Sequence, residues 1–236
     1  MTSERRAAVT AGALLITGII GALAFAAVEN PLLTATVSLA RIPPDGGSRL
    51  PAGGLMEIAT AGASVGIALA LYPVLRKDSK GLALGAVAFR TIEATMYTVA
   101  AVITLSLPGL ARQYAQSPAP GRGAIQATAS ALASVREDAV LAAVFAYVTG
   151  ALMYYTVLYR SRLIPRWLAG WGIVAEVLML AACVAAAFSG HPVTSYAPLI
   201  LPIAVQEATL GIWLILRGFS AKTMIPTPAA AQRVGS

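Results

Sequence analysis

The chain has 236 residues, of which 58% are hydrophobic and only 11% charged, with a formal net charge of +7. An ordinary soluble domain is about 45–50% apolar and about 25% charged, so too little polar side chain is present to cover a globular surface. That composition excludes a soluble domain, a disordered chain and a disulfide scaffold, and it defines an all-α integral membrane bundle.

A spanning helix needs about 20 mainly apolar residues. Six stretches meet this, at 7–28, 52–75, 82–106, 138–159, 167–188 and 198–216. The first opens on Arg5-Arg6 and runs to Ala24-Phe25-Ala26, the outline of a signal peptide. Its apolar run of about 20 residues exceeds the 7–15 of a signal sequence, so retention as a span is expected. Polar, Pro/Gly-rich loops are predicted near 29–51 (Pro43, Pro44, Asp45, Gly46, Gly47), 108–137 (Pro118, Pro120, Gly121, Gly123) and 189–197 (Gly190, His191, Pro192). Residues 1–218 read as one six-helix transmembrane domain and 219–236 as a disordered cytoplasmic tail.

Orientation follows from Lys and Arg, which hold short loops on the cytoplasmic side. The N-terminus (Arg5, Arg6), two short turns (Arg76, Lys77, Lys80; Arg160, Arg162, Arg166) and the C-terminal tail (Arg217, Lys222, Arg233) lie on one side. Arg41, Arg49, Arg112, Arg122 and Arg136 fall on the other, and Arg90 lies inside the third span. Both termini are therefore expected in the cytoplasm, and the basic excess marks topology, with no nucleic-acid partner. Tyr72, Tyr154, Tyr155, Tyr159, Trp167 and Trp213 sit near the cytoplasmic span ends and read as headgroup-level anchors.

Two patterns bear on packing. Tyr72 to Glu93 and Tyr155 to Glu176 are both 21 residues apart across a basic turn, pointing to a parallel repeat of helices 2–3 and 4–5. The pairs Gly62/Gly66 and Gly81/Gly85 have the four-residue spacing of close helix contact.

Ionisable residues at membrane depth carry the functional expectation. They are Glu57 in span 2, Arg90 and Glu93 on one face of span 3, Glu176 in span 5 and Glu207 in span 6. At about 2.5–3.5 kcal/mol each, five such groups facing lipid would cost about 12–17 kcal/mol. That rivals the whole stability of a domain, about 5–15 kcal/mol, so they must turn inward. One Arg against four acids leaves an excess of carboxylate, so Arg90 is expected to pair with one or two acids and the rest to be protonated or to hold a cation.

These five are the candidate catalytic residues, with Thr60, Tyr97, Asp138 and Gln206 as candidate ligand contacts, around a cavity between helices 2, 3, 5 and 6. Ser64 extends the polar stripe of Glu57 and Thr60. With one His (His191) and one Cys (Cys183), neither a metal cluster nor a disulfide is expected, and no cofactor is called for.

Three readings of such a core remain open. It could act as a general acid on an amphipathic lipid or isoprenoid-like molecule, serve as a proton-coupled carrier of a small solute, or belong to a non-catalytic membrane partner.

Four segments carry a resemblance: Leu71-Tyr72-Pro73-Val74-Leu75, Arg90-Thr91-Ile92-Glu93, Arg162-Leu163-Ile164-Pro165-Arg166-Trp167-Leu168, and Glu207 through Trp213-Leu214 to Gly218. With them the chain resembles, over about residues 10–218, the bacterial membrane family known as domain of unknown function 4386. The resemblance implies a multi-pass protein of the bacterial inner membrane and brings no activity, substrate or cofactor with it.

Overall fold

In a computed structural model, the described residues are 2–29, 37–43 and 48–220, together with the backbone but not the side chains of 25–29. They form six long helices: α1 (Ser3–Glu29), α2 (Arg49–Leu75), α3 (Lys80–Gln116), α4 (Ala119–Ser161), α5 (Arg166–Ser189) and α6 (Ala197–Leu216). Short 3-10 turns cover Leu39–Arg41 and Val193–Tyr196. All six helices are long and apolar enough to cross a membrane, and the described residues hold no strand.

The helices form a closed ring. Each packs against its neighbours in the chain, and α1 packs against α6. Large apolar side chains such as Leu23, Leu69, Leu84, Val174 and Ile212 are more than half exposed, which in a membrane protein is the acyl-chain face. The inner faces are closely packed and rich in Ala, Leu and Val.

One end gathers the basic turns. Arg5 donates to the Leu214 and Ile215 carbonyls at 3.2 and 2.6 Å, so a side chain of α1 caps the last turn of α6 beside the Gly218 N–H that also bonds Leu214. Lys77 pairs with Glu4, bringing the α2–α3 turn to the same end. Phe219 packs on the core and Ser220 donates its N–H to Leu163 at 2.8 Å, so the chain stays held two residues past 218. The remainder of the expected tail, 221–236, lies outside the described residues, as do Pro44, Asp45, Gly46 and Gly47 of the first expected loop.

The stretch 108–137 is not the expected loop. Helix α3 continues to Gln116 and α4 begins at Ala119, so only Ser117 and Pro118 turn the chain. Pro120 falls in the first turn of α4, where its missing N–H costs nothing, and Pro108 is accommodated inside α3. At about 55 and 64 Å, α3 and α4 far exceed the roughly 30 Å hydrocarbon layer and extend beyond it as a helical hairpin. The segment around Leu39 docks on this hairpin. Gln126 accepts from the Leu39 N–H at 3.1 Å and donates to the Val37 carbonyl at 2.6 Å, over a small core of Leu39, Ile42, Leu50 and Leu107.

Close helix contact also falls at other glycines than expected. Gly62 and Gly81 face open space, and Gly66 and Gly85 meet only the side chains of Leu14 and Met153. The backbones approach instead at Gly12 and Gly211, where a Cβ on Gly12 would lie 2.6 Å from the Gly211 carbonyl and one on Gly211 3.1 Å from the Gly12 carbonyl. Ring closure thus depends on two missing side chains. Gly211→Leu should lower stability in detergent by about 1–3 kcal/mol through overpacking, measured by thermal or denaturant unfolding, whereas Gly62→Leu should change it little.

Candidate functional site

The ring axis is polar. Arg90, Glu93 and Tyr97 recur on one face of α3, and Arg90 and Glu93 are 2% and 4% exposed. Helix α2 presents Ser64, α5 presents Glu176, α6 presents Gln206 and Glu207, and α4 presents Tyr147, Tyr154 and Tyr155.

Arg90 is the centre. Its Nη1 lies 3.0 Å from Glu93 Oε2 and its Nη2 4.0 Å from Glu207 Oε1. The guanidinium stacks over Tyr147 at 4.6 Å and reaches the Tyr154 ring at 5.9 Å. Two aromatic faces therefore replace part of the hydration that a buried cation loses. Gly150, between the two tyrosines on α4, makes room, since a Cβ there would lie 3.3 Å from the Ala86 carbonyl and 3.4 Å from Arg90 Cγ.

The acids are held unequally. Glu93 Oε2 accepts from both Ser64 Oγ at 2.7 Å and Arg90. Glu207 accepts from Tyr154 at 3.4 Å and keeps 13% side-chain exposure. Glu176 is fully buried, and neither of its oxygens has a hydrogen-bond partner in the protein, although the Tyr147 phenol faces both it and Glu207. Toward the basic end, Tyr155 donates to Gln206, whose amide donates to the Leu168 carbonyl at 3.0 Å. The notch that accepts the Tyr155 ring is Gly172 of α5.

Glu57 sits apart, nearer the opposite end of the bundle. It pairs at 3.4 Å with Arg136, whose Nε donates to Thr104 at 2.9 Å, and its second oxygen has no hydrogen-bond partner. Arg136 is 7% exposed and lies within α4, so it does not belong to an outer loop and Arg90 is not the lone guanidinium at depth. Half-buried Tyr97 falls between the two centres, within electrostatic reach of Glu93 and Arg90 on one side and Glu57 on the other.

Of the expected site residues, Arg90, Glu93, Glu176, Glu207 and Gln206 therefore gather in one core, and Glu57 belongs to a second. Two others lie elsewhere. Thr60 bonds the Met56 carbonyl at 2.9 Å and faces Gly21 of α1 at the helix contact. Asp138 is exposed, beside Glu137 and His191 on a groove of about 280 Å³ between α4 and the α5–α6 connection. Among the described residues no three His, Cys, Asp or Glu side chains converge in a metal-binding arrangement.

Helix α4 was missing from the expected cavity. Tyr154 and Tyr155, expected as membrane anchors, are 1% and 0% exposed and belong to the core. The signal for Tyr154 lay in register: Arg136, Tyr147 and Tyr154 are spaced 11 and 7 residues apart, which aligns them on a single helix face with Gly150.

Six apolar helices closed around a buried ion cluster define the class, a multi-helix membrane protein. The model of the family described as a domain of unknown function (DUF4386) matches residues 10–218, and the chain belongs to that family. No curated protein and no solved structure matches it.

Truncating Arg90 would strand buried carboxylates. Arg90→Ala should cost about 3–5 kcal/mol, while Glu93→Gln, which can still accept from Ser64 and Arg90, should cost less than half as much in the same unfolding measurement.

Proposed function

We propose that the Arg90 cluster is a proton-exchanging site at mid-membrane, and that the protein uses it as a proton-coupled carrier of a small solute. The observation carrying this reading is the imbalance of the core, where Arg90 faces Glu93, Glu176 and Glu207. Three carboxylates and one guanidinium would hold a net charge of −2 if all were ionised, a state that hydrocarbon surroundings oppose strongly. Protons supply the missing positive charge. Glu176, with both oxygens unpartnered and the Tyr147 phenol beside it, is a natural proton holder.

The carrier reading draws on the second centre as well. Glu57–Arg136 and Arg90–Glu93–Glu207 succeed one another along the ring axis, with Tyr97 between them. Midplane acids arranged this way suit coupling of proton movement to solute movement. In this reading the protein is a multi-pass protein of the bacterial inner membrane, with the basic end facing the cytoplasm as short Arg/Lys-rich turns do.

A second reading is acid catalysis on an amphipathic lipid or isoprenoid-like molecule. It draws on Glu207, the least buried of the three acids about Arg90. A protonated carboxyl there would donate to the substrate and be recharged from its neighbours.

Infrared difference spectroscopy across a pH change tests the shared premise. The protein in lipid should show a protonated-carboxyl band that diminishes in Glu176→Gln and again in Glu176→Gln/Glu207→Gln. A spectrum without that band, or one indifferent to both changes, would refute the proton-exchanging core. Solute accumulation driven by an imposed pH gradient in proteoliposomes supports the carrier, and conversion of a lipid extract supports the enzyme.

A further inference from the structure

The α4–α5 turn, Arg160 to Trp167, has no part in the proposed proton chemistry, yet it is built with unusual care. Leu163 and Ile164 are 6% and 1% exposed, so the turn is pinned into the end of the bundle by its two middle residues. Ser220 bonds the Leu163 carbonyl from the other side of the chain. Arg162 adopts a left-handed conformation, φ 57°, and is the sole non-glycine residue with positive φ among the described residues. The pinned turn holds Arg160, Arg162 and Arg166 at the surface, all three exposed.

None of these guanidiniums meets a carboxylate among the described residues. Arg166 instead stacks over Tyr159 at 5.3 Å, and the Tyr159 ring lies against Gly170 on the next turn of α5. Trp167 alongside is 58% exposed. Three unneutralised arginines within seven residues, flanked by two aromatic rings of the type that settles at the lipid–water boundary, match one partner. That partner is a phosphodiester whose attached chains continue into the acyl layer.

The structure assigns the α4–α5 turn as a seat for the headgroup of an anionic phospholipid, with Arg160, Arg162 and Arg166 on the phosphate and Tyr159 and Trp167 against the glycerol and upper acyl region. This holds whether or not the core moves protons.

The test uses the full chain in a neutral detergent, titrated with phosphatidylglycerol or phosphatidylcholine, reading retained lipid by native mass spectrometry and stability by thermal unfolding. The wild type should retain phosphatidylglycerol in preference and gain thermal stability from it. Arg160→Gln/Arg162→Gln/Arg166→Gln should lose at least tenfold in apparent affinity. The charge-matched control Arg41→Gln/Arg112→Gln/Arg122→Gln should keep it.

Arg162→Gly separates a lipid seat from a merely structural turn. Glycine relieves the left-handed backbone, so the lipid-free unfolding temperature should rise while phosphatidylglycerol retention falls. Equal retention of the two lipids by the wild type, an equal loss in the control, or undiminished retention in Arg162→Gly and the triple variant would overturn the assignment. So would full competition by soluble glycerol phosphate, which would make the turn a site for a free anion.

Discussion

A guanidinium placed inside hydrocarbon must find its counter-charges within the protein, and the remainder of this fold is arranged around that necessity. Arg90 draws an acid from its own helix, Glu93, and another from α6, Glu207. It takes the faces of Tyr147 and Tyr154 from α4, and α2 adds Ser64 through Glu93. Removing an ion from water costs several kcal/mol even after relaxation, so such a group is kept only where it organises its surroundings or performs work. Here one side chain ties four helices to a common axis.

The two buried centres share a design with different margins. In each, an arginine and a glutamate come from different elements or turns, and a small hydroxyl completes the shell: Ser64 on Glu93, Thr104 on Arg136. Glu57 pairs with Arg136 in one centre, and Glu93, Glu176 and Glu207 gather about Arg90 in the other. The surplus of acid about Arg90 is the observation on which the proposed proton exchange rests. The long α3–α4 hairpin, whose Gln126 holds the segment at Val37 and Leu39, lies at the same end as the Glu57–Arg136 pair.

Much of this was legible from residue chemistry alone. The spans and the inward turn of Arg90, Glu93, Glu176 and Glu207 follow from transfer cost, which is large and independent of detail. What was misread depended on local competition. Pro118, Pro120 and the glycines near them signalled a loop, but proline in the first turn of a helix is tolerated and the alanine-rich run after it favours helix. That error carried Arg136 into a loop and hid its ion pair with Glu57. Tyr154 and Tyr155 sit near the end of a span and were assigned by depth, whereas their face of α4 decided their burial. Thr60, on the same stripe as Glu57 and Ser64, turns to α1 because a ring gives each helix two neighbours as well as an interior.

The contact of Gly12 with Gly211 joins the first helix to the last. During synthesis α6 follows α1 to α5, so the surface that closes on α1 emerges only after the other five helices have been made. Until then the Arg90 cluster lacks the side that Gln206 and Glu207 supply. Closure of the ring accordingly waits for α6, and a truncation that removes that helix would open the ring between α1 and α5.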